Sequence, residues 1–472
     1  MSTPVQPSST LAAGATRAPA GEAAESAAEQ PWPSPAKSWY AVGIFAVALM
    51  LDFLDRGVIA LLVQPIKHDL NLSDTQMGLL MGTAFIIFYL LLGLPIARLA
   101  DSRSRRAIIG WGIAIWSVAT AACGLARSFW PFFGTRIGVG VGEACNGPAT
   151  FSMMADMFPK EKLARAIATL NFGFVIGNGI ATIIGGAVIL FVSGHGDFHF
   201  PALGTVHPWQ VTFFAVGLPG LIVAALLSTV IEPPRRGRMR AASPAQARSK
   251  KAIPVREVVR FLAANKTTYG PMFLGLACSN IVAFGIQAWA PTFFVRTYGW
   301  TIPHYAFVVG VLMLVLFPIA LIPGSMVAEW LTRKGYDDAN LRLTLFTLVA
   351  DVPFYIAFAL MPTPALSLAC LGMTFLIASF SIGAQNAALQ IITPNEMRAQ
   401  ITALFLFIFN TFGTGIAPLV VGLVTNHVIG SEARVGESIA LTAAVFGPLA
   451  VLITWSGLKP YGRSVARARA WD

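Results

Sequence analysis

Charge is scarce in this chain: Asp, Glu, Lys and Arg make up 12 % of its 472 residues, while 56 % are hydrophobic and the mean hydropathy is +0.68. That balance excludes an ordinary soluble protein, although the length would hold about three soluble domains. Cysteine is scarce too. Cys123, Cys145, Cys278 and Cys370 lie inside apolar runs without CxxC spacing, which excludes a disulfide framework and a zinc ribbon. No Walker loop is present, nor a paired motif for nucleophilic or metal-assisted hydrolysis, so neither an ATP-driven pump nor an enzyme is expected. The energy source is expected to be a proton gradient, with no cofactor and no metal. Acidic residues number 22 against 33 basic ones, a net charge of +11. The basic residues sit in short gaps between apolar runs, which points to membrane topology and away from nucleic acid.

What is present is a series of long apolar runs behind a polar head. Residues 1–38 hold Ala, Pro, Ser, Gly and Glu with almost no large apolar side chains and are expected to form a disordered cytoplasmic head. Glu22, Glu25 and Glu29, without a basic start leading into an apolar core, argue against a cleaved signal peptide. From Trp39 onward twelve runs reach roughly 20 residues or more, the length a helix needs to cross ~30 Å of hydrocarbon. They fall near 40–64, 75–99, 107–126, 131–156, 163–192, 209–231, 267–295, 304–328, 341–361, 366–392, 399–427 and 437–457. Backbone groups in lipid must pair within their own segment, so the fold class is all-α and polytopic, with twelve transmembrane helices in two six-helix bundles.

The bundles are expected at 39–231 and 267–458, separated by a basic cytoplasmic linker at 232–266 and followed by a cytoplasmic tail at 459–472. Basic residues gather in the head, the linker, the tail and alternate loops, against only Lys67, Arg127, Arg296 and Arg434 on the other side. Both termini of this multi-pass protein of the cytoplasmic or inner membrane are therefore expected in the cytoplasm. The linker bases are expected to hold topology and touch anionic headgroups.

The two halves repeat each other. Pro95, Ala100, Asp101, Arg105 and Arg106 after span two recur at the same spacing as Pro323, Ala328, Glu329, Arg333 and Lys334 after span eight. Pro159-Lys160-Glu161 after span four is echoed by Pro394-Asn395-Glu396 after span ten, and spans five and eleven open with Asn171, Phe172, Gly173 and Asn410, Phe412, Gly413. Parallel six-span repeats place a substrate site between the bundles near the midplane, with alternating access by rocking.

Charges at membrane depth are costly unless paired or hydrated, so each is a candidate functional residue. Span one carries Asp52, Asp55 and Arg56, with Asp52 and Arg56 an i, i+4 pair and Asp55 within about 60° of Asp52 around the helix. Span four carries Arg136 and Glu143, seven residues apart on one face, among Gly138, Gly140, Gly142 and Gly147, small residues that let another helix approach. Two acids and two arginines can meet across these spans. One reading is a self-neutralised structural cluster. The other is a proton switch, in which moving a guanidinium relative to a buried carboxylate changes its proton affinity. In the second, Asp55 and Glu143 carry the proton, Arg136 is their charge partner, Arg56 is a partner or an anion ligand, and Asp52 pairs locally with Arg56.

Further substrate-cavity candidates are Asn280 and Gln287 on span seven and Gln385 and Asn386 on span ten, for which ordinary interhelical hydrogen bonding is the competing reading. Asp351 in span nine has no evident partner in the sequence and reads as structural. His195, Asp197, His199 and His207 crowd one loop, but its glycines and solvation argue against a metal site.

The turn from Pro95 to Arg106 is similar to the signature loop of the major facilitator superfamily, and the likeness runs from about residue 40 to 458. The resemblance implies a cytoplasmic latch of Asp101, Arg105 and Arg106, with Glu329 and Arg333 as its second copy. Ala97, Ser102 and Ser104 replace the expected glycine, arginine and glycine, which implies a looser latch. The strings Leu54-Asp55-Arg56 and Arg136 through Ala144, with Pro148-Ala149, resemble the spinster branch, proteins implicated in moving sphingolipids and lysolipids. That resemblance implies Asp55, Arg56, Arg136 and Glu143 as coupling residues.

The leading expectation is a monomeric proton-coupled transporter of a lysolipid or other amphipathic anion, with the bilayer, protons and that small molecule as partners. Two alternatives remain open: the same fold carrying a small organic anion or drug-like compound, and a membrane receptor that transports nothing.

Overall fold

A computed structural model describes residues 32–200, 204–235, 254–394 and 396–469. Among these residues the chain runs as twelve long helical segments. In the first half they are α1 (Pro35–Leu61), α2 (Asp74–Gly78, a π-turn Leu79–Thr83, then Ala84–Ser102), α3 (Arg105–Cys123), α4 (Phe129–Glu143, resumed at Asn146–Met157), α5 (Lys160–Ser193) and α6 (Pro208–Leu227). The second half holds α7 (Lys266–Tyr298), α8 (Ile302–Arg333), α9 (Ala339–Leu360), α10 (Pro364–Ile391), α11 (Arg398–Asn410 through two π-turns, Thr411–Ile416 and Val424–Ile429) and α12 (Val435–Ala468). Ten of these are long and apolar enough to span a membrane. The remaining two, α1 and α4, are the helices that carry Asp52, Asp55, Arg56, Arg136 and Glu143.

Several expected boundaries shift. Residues 1–31 of the head and 236–253 of the linker lie outside the described residues. The helix begins at Pro35, before the head was expected to end, with proline at the first helical position and the buried Ser38 hydroxyl donating to the Met157 carbonyl at 3.2 Å. Within the linker, Val255–Ala264 is helical, its Val258 buried and its Val255 and Val259 exposed. The tail is helical to Ala468, anchored by buried Tyr461, whose hydroxyl donates to the Ala388 carbonyl at 3.2 Å. The loop after α5 forms a small hairpin of β1 (Phe198–Phe200) and β2 (Gly204–Val206).

Within the first half α1 packs on α5, α3 on α4 and α2 on α4; within the second, α7 packs on α12, α8 on α10, and α9 on both α10 and α12. Buried aromatics fill each bundle: Trp116, Phe132 and Phe213 in one, Trp289, Phe293, Phe294 and Phe358 in the other. Outward-facing Leu91, Trp111, Trp130, Ile222 and Trp455 are exposed, as expected of a surface solvated by lipid. Gly299, at φ +66°, ends α7 in the left-handed conformation and lets the chain turn directly into α8.

The bundles meet along two seams, α2 against α11 and α5 against α8. Small residues bring the backbones together there. A methyl group on Gly82 would run into the Thr414 and Gly415 carbonyls, and one on Gly186 into Ala306. Thr83 donates to the Gly415 carbonyl at 3.2 Å, and the Thr75 backbone amide to the Asn426 side chain at 2.7 Å. These joining bonds lie toward the end where α7 turns into α8, away from the basic α2–α3 turn. The bundle pair is closed at that end.

Two glycine substitutions separate packing from gating. Gly140 lies against the Phe85 carbonyl inside the first bundle, so Gly140→Val is expected to cost about 1–3 kcal/mol and lower the melting temperature in detergent. Gly82→Val clashes between bundles instead. It is expected to lengthen spin-label distances between α2 and α11 at the closed end while leaving the melting temperature nearly unchanged.

Candidate functional site

The charged residues of α1 and α4 come together inside the first bundle. Arg56 is the hub. Its Nε lies 2.6 Å from Glu143 Oε2 and 2.9 Å from Asp52 Oδ1, and its Nη2 lies 2.6 Å from the same Glu143 oxygen. The Asp52 contact follows from i, i+4 spacing, whereas the Glu143 contact crosses from α1 to α4. The Glu143 side chain is 0 % exposed and that of Arg56 23 %, so the arginine is the accessible member of the pair. Such a pair is favourable at depth because each charge neutralises the other where water cannot.

Arg136 does not partner Glu143. Seven helical residues separate them by about 10 Å along the axis, and Arg136 instead turns toward α2, its Nε donating to the Leu80 carbonyl at 3.3 Å. Leu80 lies in the π-turn of α2. Among the described residues both Nη atoms of Arg136 and Oδ1 of buried Asp55 have no hydrogen-bond partner, while Arg136, Asp52 and Arg56 are charged neighbours of Asp55 and the Thr120 side chain lies beside it. Four of the five residues therefore divide into a closed pair, Arg56 with Glu143, and an unclosed one, Arg136 with Asp55. Asp52 is the local partner of Arg56.

Phe85 lies beside both guanidiniums, with Arg56 Cζ 4.7 Å and Arg136 Cζ 5.9 Å from its ring centre. It stacks on Tyr89 at 5.4 Å, and Tyr89 also lies 5.4 Å from Arg56 Cζ. Sequence reasoning missed both aromatics. Their i, i+4 spacing on α2, opposite the glycines of α4, was the available signal.

The other cavity candidates are not gathered around Arg56. Asn280 is buried and donates to the Phe409 carbonyl at 3.4 Å, and Gln385 donates to Ser381 Oγ at 2.8 Å beside Thr344 and Thr454 within the second bundle. Exposed Asn386 bonds back to the Ile382 carbonyl of its own helix, and Gln287 is exposed. Asp351 is buried in α9 beside Tyr355, one turn further on.

The expected latch ties neighbours inside one bundle. Arg105 is buried, bonds Asp156 and the Ser152 and Pro233 carbonyls, and donates its backbone amide to Glu232 Oε1 at 2.7 Å. Arg106 reaches the Ser228 and Val230 carbonyls. The Asp101 side chain lies outside the described residues. Glu329 and Arg333 form only an exposed i, i+4 pair at 3.3 Å. Each of these contacts of Arg105, Arg106 and Arg333 stays within its own half of the chain.

At the closed end an unforeseen network spans the bundles. Asp74, wholly buried at the start of α2, accepts from Arg296 of α7 at 2.7 and 2.9 Å and from Lys67. Lys67 also lies 2.5 Å from Glu432, whose carbonyl accepts from Arg296 at 2.8 Å. Two acids and two bases balance. The sequence signal was there, since Lys67 and Arg296 are among the few bases on that side. The loop histidines lie nearby: His207 is 3.1 Å from Asp197 and 3.7 Å from Asp69, and among the described residues no three ligands form a metal set.

Two six-helix membrane bundles, closed at one end across glycine-lined seams and holding paired charges in one bundle, define a secondary transporter. The chain belongs to the Major Facilitator Superfamily, whose profile matches residues 45–458. It is similar to an MFS-type efflux pump of Mycolicibacterium smegmatis, 25 % identical over 445 residues that cover 91 % of this chain and 95 % of that protein. It is also similar to protein spinster homolog 3 of Danio rerio, 25 % identical over 412 residues, 83 % of this chain and 77 % of that one. Among solved structures, a bacterial homolog to the human lysosomal transporter spinster, inward-facing and unoccupied, superposes with a TM-score of 0.76 at 25 % identity, covering 92 % of this chain and 99 % of that one. The family and these neighbours are transporters and not enzymes, and the chain is spinster-like.

Arg56→Ala leaves Asp52 and Glu143 as two buried acids and is expected to cost about 3 kcal/mol in unfolding measurements, with Arg56→Ala/Glu143→Gln recovering part of the loss. Asp74→Asn removes the charge that holds Lys67 and Arg296. Spin labels across the closed end are expected to show a new open population in that variant.

Proposed function

We propose that this spinster-like transporter couples substrate movement to protons through the Arg56–Glu143 pair. The observation that carries the reading is the bond between α1 and α4 at 2.6 Å, with the acid sealed and the arginine accessible. Both carboxylates that touch Arg56 accept its hydrogen bonds in this conformation. Protonating Glu143 removes half of what holds Arg56. In this reading acid weakens the hold on Arg56 and moves the population toward a conformation in which Arg56 is released. Asp55 and Arg136, within electrostatic reach of each other but not hydrogen-bonded to each other, are suited to close in that second state.

The substrate in this reading is an amphipathic anion such as a lysolipid. Arg56 supplies an accessible cation, and Phe85 and Tyr89 beside it supply apolar and aromatic surface, a combination that suits an acidic head with an apolar body. A small organic anion is the second reading. It is favoured by the same guanidinium and by the likeness to a probable L-galactonate transporter of Escherichia coli, 22 % identical over 80 % of this chain. In both readings the basic end, with Arg103, Arg105, Arg106 and Arg333, faces the cytoplasm together with both termini. The protein acts as a monomer, driven by the proton gradient without a cofactor.

Spin-label pairs across the closed end are expected to lengthen as the pH falls in the wild type. Glu143→Gln, which mimics the protonated acid, is expected to show the longer distances at neutral pH and little further change with acid. Unchanged pH behaviour in both Glu143→Gln and Asp55→Asn would refute the coupling. In sealed vesicles, flux of a lysolipid driven by an imposed pH gradient, and not of galactonate, separates the two substrate readings.

A further inference from the structure

On the lipid-facing side of the first bundle, at its basic end, α2, α3 and α4 leave an open groove of about 430 Å³. The volume is within the range of about 300–1,000 Å³ that small-molecule clefts occupy. Ile96 and Leu99 of α2, Ile108 and Trp111 of α3 and Cys145 of α4 line it, and Arg103 and Ser104 stand at its rim. The groove has a polar end and an apolar end. Arg103 caps α2, is exposed, and has no ion-pair partner among the described residues. Arg235 donates to the Ala100 and Arg103 carbonyls at 2.7 and 2.5 Å, which brings a second guanidinium to the same rim. The nearby acid, Glu232, is already engaged by the Ser104 hydroxyl and the Arg105 amide.

From that rim the groove descends along α3. Trp111 lies seven residues beyond Ser104, about 10 Å deeper along the axis, and is 71 % exposed. The inner end reaches Cys145, in the break between the two parts of α4 and two residues past Glu143. Because these helices span the membrane, the opening faces lipid. An occupant must therefore be held by its charge at the rim and by a chain at depth.

We propose that the groove binds one molecule of anionic bilayer phospholipid, with its phosphate on Arg103 and Arg235 and one acyl chain between α2, α3 and α4 reaching Trp111 and Cys145. The two cations select against zwitterionic lipid, whose amine they repel, and the apolar walls exclude soluble phosphates. The bound chain rests on the break in α4 beside Glu143, so occupancy stiffens the segment that carries the Arg56 partner. This site is separate from the Arg56 cluster and does not depend on which substrate is carried.

The test uses the full chain in phosphatidylcholine nanodiscs containing a small fraction of chain-brominated lipid, which quenches nearby tryptophan. The Trp111 signal is taken as the difference between wild type and Trp111→Phe. It is expected to be quenched about fivefold more by brominated phosphatidylglycerol than by brominated phosphatidylcholine at equal mole fraction, as one basic side chain near a headgroup provides. Arg103→Gln is expected to reduce that preference and Arg103→Lys to keep it. Equal quenching by the two lipids in the wild type, or a full preference surviving Arg103→Gln/Arg235→Gln, overturns the proposal. A second readout needs no variant: maleimide labelling of Cys145, mapped by mass, is expected to slow with phosphatidylglycerol and not with phosphatidylcholine or free inorganic phosphate. Labelling at one rate in all three overturns it equally.

Discussion

A charge inside a membrane protein must find its opposite, and the Arg56–Glu143 contact meets that demand in the first bundle. Were Arg56 neutral, Glu143 would be a lone ion out of water, at a cost of several kcal/mol. The requirement fixes how α1 approaches α4 and places Phe85 against the guanidinium. It also makes Asp52 useful as a second acceptor on the accessible side of the arginine. The same rule operates at the closed end, where Asp74 is buried only because Arg296 and Lys67 converge on it from two other elements.

The two clusters differ in what they join. Arg56, Asp52 and Glu143 belong to a single bundle, so the contacts among them can change without parting the two bundles. Asp74 and Arg296 belong to different bundles and must part for the closed end to open. One cluster can therefore respond to protonation without tearing the interface, while the other resists separation until the gain elsewhere exceeds its attraction. The glycines at Gly82 and Gly186 serve the second function sterically, since close backbone contact adds dispersion that is lost on separation.

Hydropathy and length made the helices legible, because lipid leaves the backbone few other choices, and the repeated Pro-Ala-acid-base pattern made the two halves legible. The pairing of Asp52 with Arg56 followed from i, i+4 geometry alone. The partner of Glu143 did not. Sequence left both Arg136 and Arg56 open as its partner; seven residues of rise put Arg136 at a different depth, and the contact between α1 and α4 selects Arg56. Phe85 escaped notice because an aromatic residue in an apolar span carries no charge to mark it. Asp74 escaped because Arg296, its partner across the bundles, lies 222 residues away in sequence. Gln385 and Asn386 show the reverse case: in sequence a polar side chain in a span reads as a ligand or as a bonding partner within its own bundle, and here Ser381 and the Ile382 carbonyl take the bonds.

The π-turn Leu79–Thr83 has a consequence for how α2 serves two neighbours. A π-turn amounts to one extra residue in the helix, which rotates everything beyond it by about 100° relative to what precedes it. The stretch before it presents Gly78 to α11, and the stretch after it presents Phe85 to the glycines of α4. Without that local slip in winding, a straight rod could aim one of these surfaces correctly but would swing the other toward the acyl chains. The single surplus residue thus lets one helix act as a wall of its own bundle and as a bearing for the opposite one.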